Sequence, residues 1–167
     1  MADTARGKIS MTPVVTIAAD DDSDAVDAIH HDINGLLGGV LEYEKADAND
    51  KWYYDASKTI DTTNSTNIIS GDFTQGGAAH VNDDVRYICI VHTGLDSSGD
   101  ASTSNVYVVF DGNASPSDQP DAAVIGPNEA FIQKTNTSCN VEDIHAETSS
   151  GEAVVKVAAI IDDNYVP

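Results

Sequence analysis

Hydrophobic positions along this chain fall into many short runs, and most of those runs alternate with a period of two. In Val85–His92, residues Val85, Tyr87, Cys89 and Val91 share one face, while Arg86, Ile88, Ile90 and His92 share the other. Both faces are apolar enough to predict a central strand, flanked on each edge. Val154–Ile161 is apolar on both faces except at Lys156 and predicts a second central strand, Ala153–Ile161. Shorter segments rich in Val, Ile, Tyr or Phe predict further strands at Leu41–Lys45, Lys51–Asp55, Ile68–Ser70, Val106–Phe110, Ala122–Ile125, Ala130–Lys134 and Val141–Ala146. Turn chemistry separates them at Asn49-Asp50, Gly76-Gly77, Asp96–Asp100, Asp111-Gly112-Asn113 and Ser149-Ser150-Gly151. Ile9–Ala18 adds a first strand, which Pro13 restricts to a sheet edge or a bulge.

One segment departs from this period. Val26, Ile29, Ile33, Leu36, Leu37 and Val40 recur at three- and four-residue spacing after Ser23, a suitable N-cap. They predict an amphipathic helix over Asp24–Val40, loosened by Gly35, Gly38 and Gly39. The expected fold is therefore mainly β, a β-sandwich of jelly-roll type or a barrel, with one short N-terminal helix. No linker or repeat divides the chain, so residues 1–167 read as a single β-rich domain, with 1–18 as an extended arm or first strand.

Composition narrows the function classes. At 167 residues with 41% hydrophobic content, the chain can build a core. Lys plus Arg is 8 and Asp plus Glu is 28, a formal charge of −20. Such a surface repels phosphate, which argues against nucleic acid and anionic membrane as partners. Of the 28 acidic residues 22 are Asp, and Asp favours turns over helices. Self-repulsion at this charge is screened by salt, with a Debye length of about 3 Å near 1 M, so halophilic adaptation to a hypersaline host is one reading. Simple solubility is the other, and the excess of Lys over Arg favours it. No run approaches the roughly 20 apolar residues of a spanning helix. The segment MADTARGKIS lacks the apolar run of a secretory signal, so synthesis in a cytoplasm is expected.

Candidate chemistry is sparse. Asp20, Asp22 and Asp24 form a D-x-D-x-D start like that of a calcium loop, but Ala25 and His31 stand where an EF-hand needs its glycine and its bidentate glutamate. What remains is a looser structural calcium or magnesium site, against the plainer reading of a solvated loop. His30 and His31, adjacent on a helix, point about 100° apart and do not form a ligand pair. His80, His92 and His145 are scattered. Cys89 sits mid-strand as a small hydrophobe and Cys139 lies in a loop, and two cysteines allow one bridge at most. No G-x-S-x-G, H-E-x-x-H, Walker or dinucleotide motif occurs, so the expectation is a protein that is not an enzyme and needs no cofactor. Asn64, Asn113 and Asn136 begin N-x-S/T sequons, which arise by chance in a chain rich in these residues. Trp52-Tyr53-Tyr54 is the one aromatic cluster. Strand parity would put Trp52 and Tyr54 together, capping the core or forming a sugar-stacking platform.

From Asp84 onward the order is DVRYICIVHTG, SNVYVVFDGN, VIGPNEAFIQK and VEDIHAETSSGEAVVKVAAIIDD. This half of the chain resembles small β-rich virion structural proteins of tailed viruses of bacteria and archaea, of the capsid-decoration kind. The likeness rests on Gly126–Lys134 and on the run Val141–His145 before the final strand. It implies a homo-oligomer, with a trimer favoured, bound to a major capsid protein or neighbouring virion proteins and located in the virion. Ile9 and Met11 in the first segment, and Val26, Ile29 and Ile33 on the helix, are the expected interface residues. The alternatives are a tail, neck or fibre-base protein, or a carbohydrate-binding sandwich for host attachment.

Overall fold

The computed structural model describes residues 6–11, 39–44, 50–62, 66–73, 78–135 and 138–162. Arg6–Lys45 form one compact unit, and Ala46–Pro167 belong to another. In the smaller unit, β1 (Arg6–Met11) pairs antiparallel with β2 (Gly39–Glu44), Ile9 opposite Leu41 and Met11 opposite Gly39. Of the helix expected over Asp24–Val40, residues 24–38 lie outside the described residues. Gly39 and Val40 are strand instead. Glycine disfavours helix, and Val40 opens a run with Leu41 that fits a ladder better than a helical turn.

The larger unit holds eight strands: β3 (Asp50–Ile60), β4 (Thr66–Asn67), β5 (Asp84–His92), β6 (Val106–Val109), β7 (Ala123–Ile125), β8 (Ala130–Lys134), β9 (His145–Thr148) and β10 (Ala153–Asp162). They form two four-stranded antiparallel sheets, ordered β3-β10-β5-β8 and β4-β9-β6-β7. The pairing is nested. β6 pairs β7, β5 pairs β8, β4 pairs β9 and β3 pairs β10, so the chain runs as one long hairpin folded over itself. The two strands predicted to be central, β5 and β10, lie side by side inside the first sheet.

One cluster of buried residues draws on both sheets. It includes Ile88 and Ile90 of β5, Val155, Val157, Ala159 and Ile161 of β10, and Val106, Val108, Ile125 and Ala146 of the second sheet. The strict alternation of β5 breaks at Arg86, where Ile160 faces Tyr87 but Ile161 faces Val85. This bulge brings Val85 onto the same side as Ile88 and Ile90, which a regular strand would not do. A second irregularity sets Asp55 against Val157 and Lys58 against Val155, so Ala56 and Ser57 together oppose Lys156.

Three sequence expectations shift for local reasons. Ile68–Ser70 is not a strand. Ile68 and Ile69 are buried, while the backbone of Ser70 is held by the Tyr53 hydroxyl, which donates to its carbonyl (2.9 Å) and accepts from its N–H (3.2 Å). Val141–Ala146 begins as a 3₁₀ turn, Val141–Asp143, because the Asp143 carboxylate accepts the Asn140 N–H at 2.9 Å and tightens the chain before β9. Positions 52 and 54 share one side of the ladder as expected, but it is the opposite side that meets the core. Tyr53 enters the core, opposite Ala159, while Tyr54 lies opposite Ala158 on the other side and is 49% exposed. Tyr53 is the member whose hydroxyl reaches a partner when buried.

Candidate interaction surface

The side of the first sheet that faces away from the core cluster is apolar. Directly opposed residues in a ladder project to one face, so the registers define rows across this surface. Ile160, Tyr87 and Lys134 form one row, with Trp52 at the register position beyond Ile160. Tyr54, Ala158, Cys89 and Ile132 form the next. Lys156, Val91 and Ala130 form the third. Ile160 and Tyr87 are buried, Ala158, Cys89 and Ile132 are half-buried, and Tyr54 is exposed. The second apolar face read in β5 and β10 is thus a surface distinct from the core, and it grades from covered to open across the sheet.

Burial shapes its chemistry. It pushes the Cys89 thiol above its ordinary range and the Tyr87 phenol likewise, with the neighbouring Cys89 adding to the latter. Both groups are held neutral, and the charge within these three rows comes from the exposed Lys134 and Lys156. Cys139 belongs to the core cluster instead. Its thiol is pushed up to about 11, first by burial and then by Asp143 and Asp84. Both cysteines are free.

Below the first row lies a charged one. Asp162 stands opposite Asp84 on one side and Asp50 on the other. The Arg86 guanidinium donates to Asp162 Oδ2 and lies 3.7 Å from Asp84 Oδ2. Asp162 is fully buried, and its Oδ1 has no hydrogen-bond partner. Sequence reading did not single out this row. Its signal was present as one Asp at the end of each of three strands, but only the pairing shows that they meet.

Asp20, Asp22, Asp24, Val26, Ile29 and Ile33 lie outside the described residues, as do His30 and His31. Ile9 and Met11 are in β1. The other histidines are spoken for locally. His92 is buried, its Nδ1 accepting the Gly94 N–H at 3.0 Å and its Nε2 donating to the Ser104 carbonyl at 2.9 Å, which fixes its tautomer. The nearby hydroxyls of Ser102 and Ser104 donate to the carbonyls of Glu152 and Ser150. His145 Nδ1 lies 3.0 Å from the Asn113 carbonyl, and the His80 N–H donates to Asp83 Oδ2 at 2.7 Å. Asn113 uses its side-chain oxygen to accept the Ser115 N–H in a turn. Among the described residues no three His, Cys, Asp or Glu side chains gather closely enough to hold a metal ion. No helix among them is long and apolar enough to cross a membrane.

Comparison with known protein families, with curated proteins and with solved structures finds no match to this chain.

Proposed function

We propose that this protein is a non-enzymatic structural component of a virion, a capsid-decoration protein built on a jelly-roll β-sandwich. The observation that carries the reading is the nested strand pairing. Counted from β3, the first strand of the larger unit pairs with the eighth, the second with the seventh, the third with the sixth and the fourth with the fifth. A jelly roll is a long antiparallel hairpin wrapped into two four-stranded sheets in this manner, and viral capsid domains use it repeatedly. Fold alone does not define function. Two further features agree with the proposal. The second half of the chain resembles decoration-type virion proteins, and the rear of the first sheet offers a graded apolar surface of the kind a lasting protein contact covers.

In this role the protein works by linkage. Binding only the assembled shell lowers the free energy of that state and leaves dispersed subunits unaffected. A homotrimer would add contacts across capsid-protein joints, and a charge of −20 on its exterior would suit a shell in concentrated salt. Light scattering on the purified full chain, in dilute and in molar salt, tests the oligomer on which the mechanism depends. A discrete trimer in molar salt is expected. A monomer under both conditions overturns the proposal.

Tyr54 favours a second reading. A half-exposed ring on a sheet face can stack on a sugar, and lectins also use jelly rolls. Binding on a glycan array that disappears with Tyr54→Ala, the fold being intact, would establish host attachment instead. A silent array would eliminate it.

A further inference from the structure

The two sheets of the larger unit end differently. The outermost strands of the second sheet, β4 and β7, are two and three residues long, short enough to resist pairing with another chain. The first sheet ends instead on β3, with eleven residues, and β8, with five, and among the described residues no strand pairs with the far side of either. Antiparallel neighbours exchange their backbone hydrogen bonds at alternate residues. The Thr135 N–H donates to the Arg86 carbonyl and the Glu129 carbonyl accepts the His92 N–H, so the odd-numbered residues of β8 bond to β5. The N–H and C=O groups of Ala130, Ile132 and Lys134 therefore point off the sheet edge. On β10, Val154 bonds on the β5 side, to Thr93 and Leu95, which turns Val157 and Ala159 towards Asp55 and Tyr53 of β3. Asp50, Trp52 and Tyr54 thus direct their backbone groups off the opposite edge.

These two edges fit one another. β3 and β8 run in opposite directions, so β8 of one copy can meet β3 of the next as an antiparallel neighbour. With Ala130 opposite Tyr54, Ile132 falls opposite Trp52 and Lys134 opposite Asp50 on one face, and Phe131 opposite Tyr53 on the other. This register combines an aromatic–β-branched pair, an aromatic pair and an opposite-charge pair, the combinations that stabilise a ladder. It also sets edge-directed backbone groups against edge-directed ones. Sliding β8 by two residues either way puts Phe131 against Asp55 or Lys51 and loses both the aromatic pair and the charge pair. The five residues of β8 match the regular part of β3, since the irregularity at Ala56 and Ser57 begins beyond Tyr54. We propose that copies of this chain join head to tail, β8 of one against residues 50–54 of the next, and that three copies close the ring. Backbone hydrogen bonds between the edges supply affinity and the opposed side chains supply register. The inference rests on the homotrimer of the proposed function and names the strands that build it.

Cysteine cross-linking of the full chain in molar salt, in a Cys89→Ala background, tests the contact. Directly opposed residues of a hydrogen-bonded pair lie about 5.5 Å apart at Cα, within disulfide range. Ala130 and Tyr54 are both exposed, so the double variant Ala130→Cys, Tyr54→Cys should keep the parent's circular dichroism. Expected on oxidation is a covalent trimer in non-reducing gel electrophoresis, and no cross-linked product from either single variant. Lys134→Asp should raise the concentration at which the trimer dissociates several-fold, as read by light scattering on dilution, and adding Asp50→Lys should restore it. A heterologous contact that fails to close grows into a fibre, so a ladder of products beyond three chains overturns the proposal. A trimeric parent whose double-cysteine variant stays uncrosslinked, or in which Tyr54→Cys alone yields dimers, overturns the edge pairing and leaves the proposed function standing. A monomeric parent overturns both.

Discussion

Adjacent tyrosines on β3 should respond very differently to loss of a single oxygen. Tyr53→Phe removes the hydroxyl that donates to the Ser70 carbonyl and accepts its N–H. The ring stays in place, so no cavity opens and the transfer energy of the aromatic body is unchanged. Two hydrogen bonds are lost at about 0.5–1.5 kcal/mol each, and because Ser70 is itself exposed, water replaces part of them, leaving a cost of about 1–2 kcal/mol. For a chain of this length each kcal/mol moves the melting temperature by about 2–4 °C, so a fall of about 2–8 °C follows. Tyr54→Phe, on the exposed side, should stay within about 0.5 kcal/mol of the parent. Urea denaturation of both variants, at constant salt, measures the difference. If the two are equally stable, the assignment of Tyr53 to the core and the role of its hydroxyl in holding Ser70 are both refuted.

Three other outcomes follow. Cys139 has a folded-state pKa pushed from 9.0 to about 11, so the thiol form stabilises the fold fully below pH 9, and that contribution is lost as pH rises towards 11; Tyr53 and Tyr87, raised by burial, add to the same trend. Urea midpoints measured across that range should fall less steeply in Cys139→Ala than in the parent. Arg86→Ala strips the buried Asp162 of its counter-ion and should cost about 3 kcal/mol, while Arg86→Lys recovers part of it, as read by denaturant midpoints. Finally, with a charge of −20 the chain should melt at progressively lower temperature as salt is withdrawn from molar levels. A melting point indifferent to NaCl would point to solubility, not halophilic adaptation, as the reason for the acidic bias.

Much of the β architecture was legible in the chain. Ala130–Lys134 is a strand with the predicted bounds, and the two-faced apolar character of β5 and β10 foretold their central positions. What periodicity could not supply was long-range. The parity of Trp52-Tyr53-Tyr54 is decided by Ser70, seventeen residues on, which gives the Tyr53 hydroxyl a partner. The Arg86 bulge depends on how β10 is aligned, and Val85 reaches the core only through it. Apolar Val141 and Ile144 suggest a strand through Val141–Asp143, whereas the short contact from Asp143 back to Asn140 bends the chain there. The candidate surface was half visible as the apolar second face of β5 and β10. The aspartate row was not visible, since its members are separated by 34 and 78 residues and only the ladder joins them.

The position of β10 has a consequence for how the molecule is made. It is synthesised after every strand it touches, yet it lies between β3 and β5, which do not pair with each other. While the chain is still growing, β3 and the inner edge of β5 have no ladder partner within the first sheet. Closure therefore waits for Ala153–Asp162 to emerge from the ribosome, and it joins residues a hundred positions apart, a slow step for a topology this rich in distant contacts. Until β10 arrives the apolar faces of β3 and β5 lack their shared neighbour, so completion of this sheet is timed by the strand that reaches it last among those described.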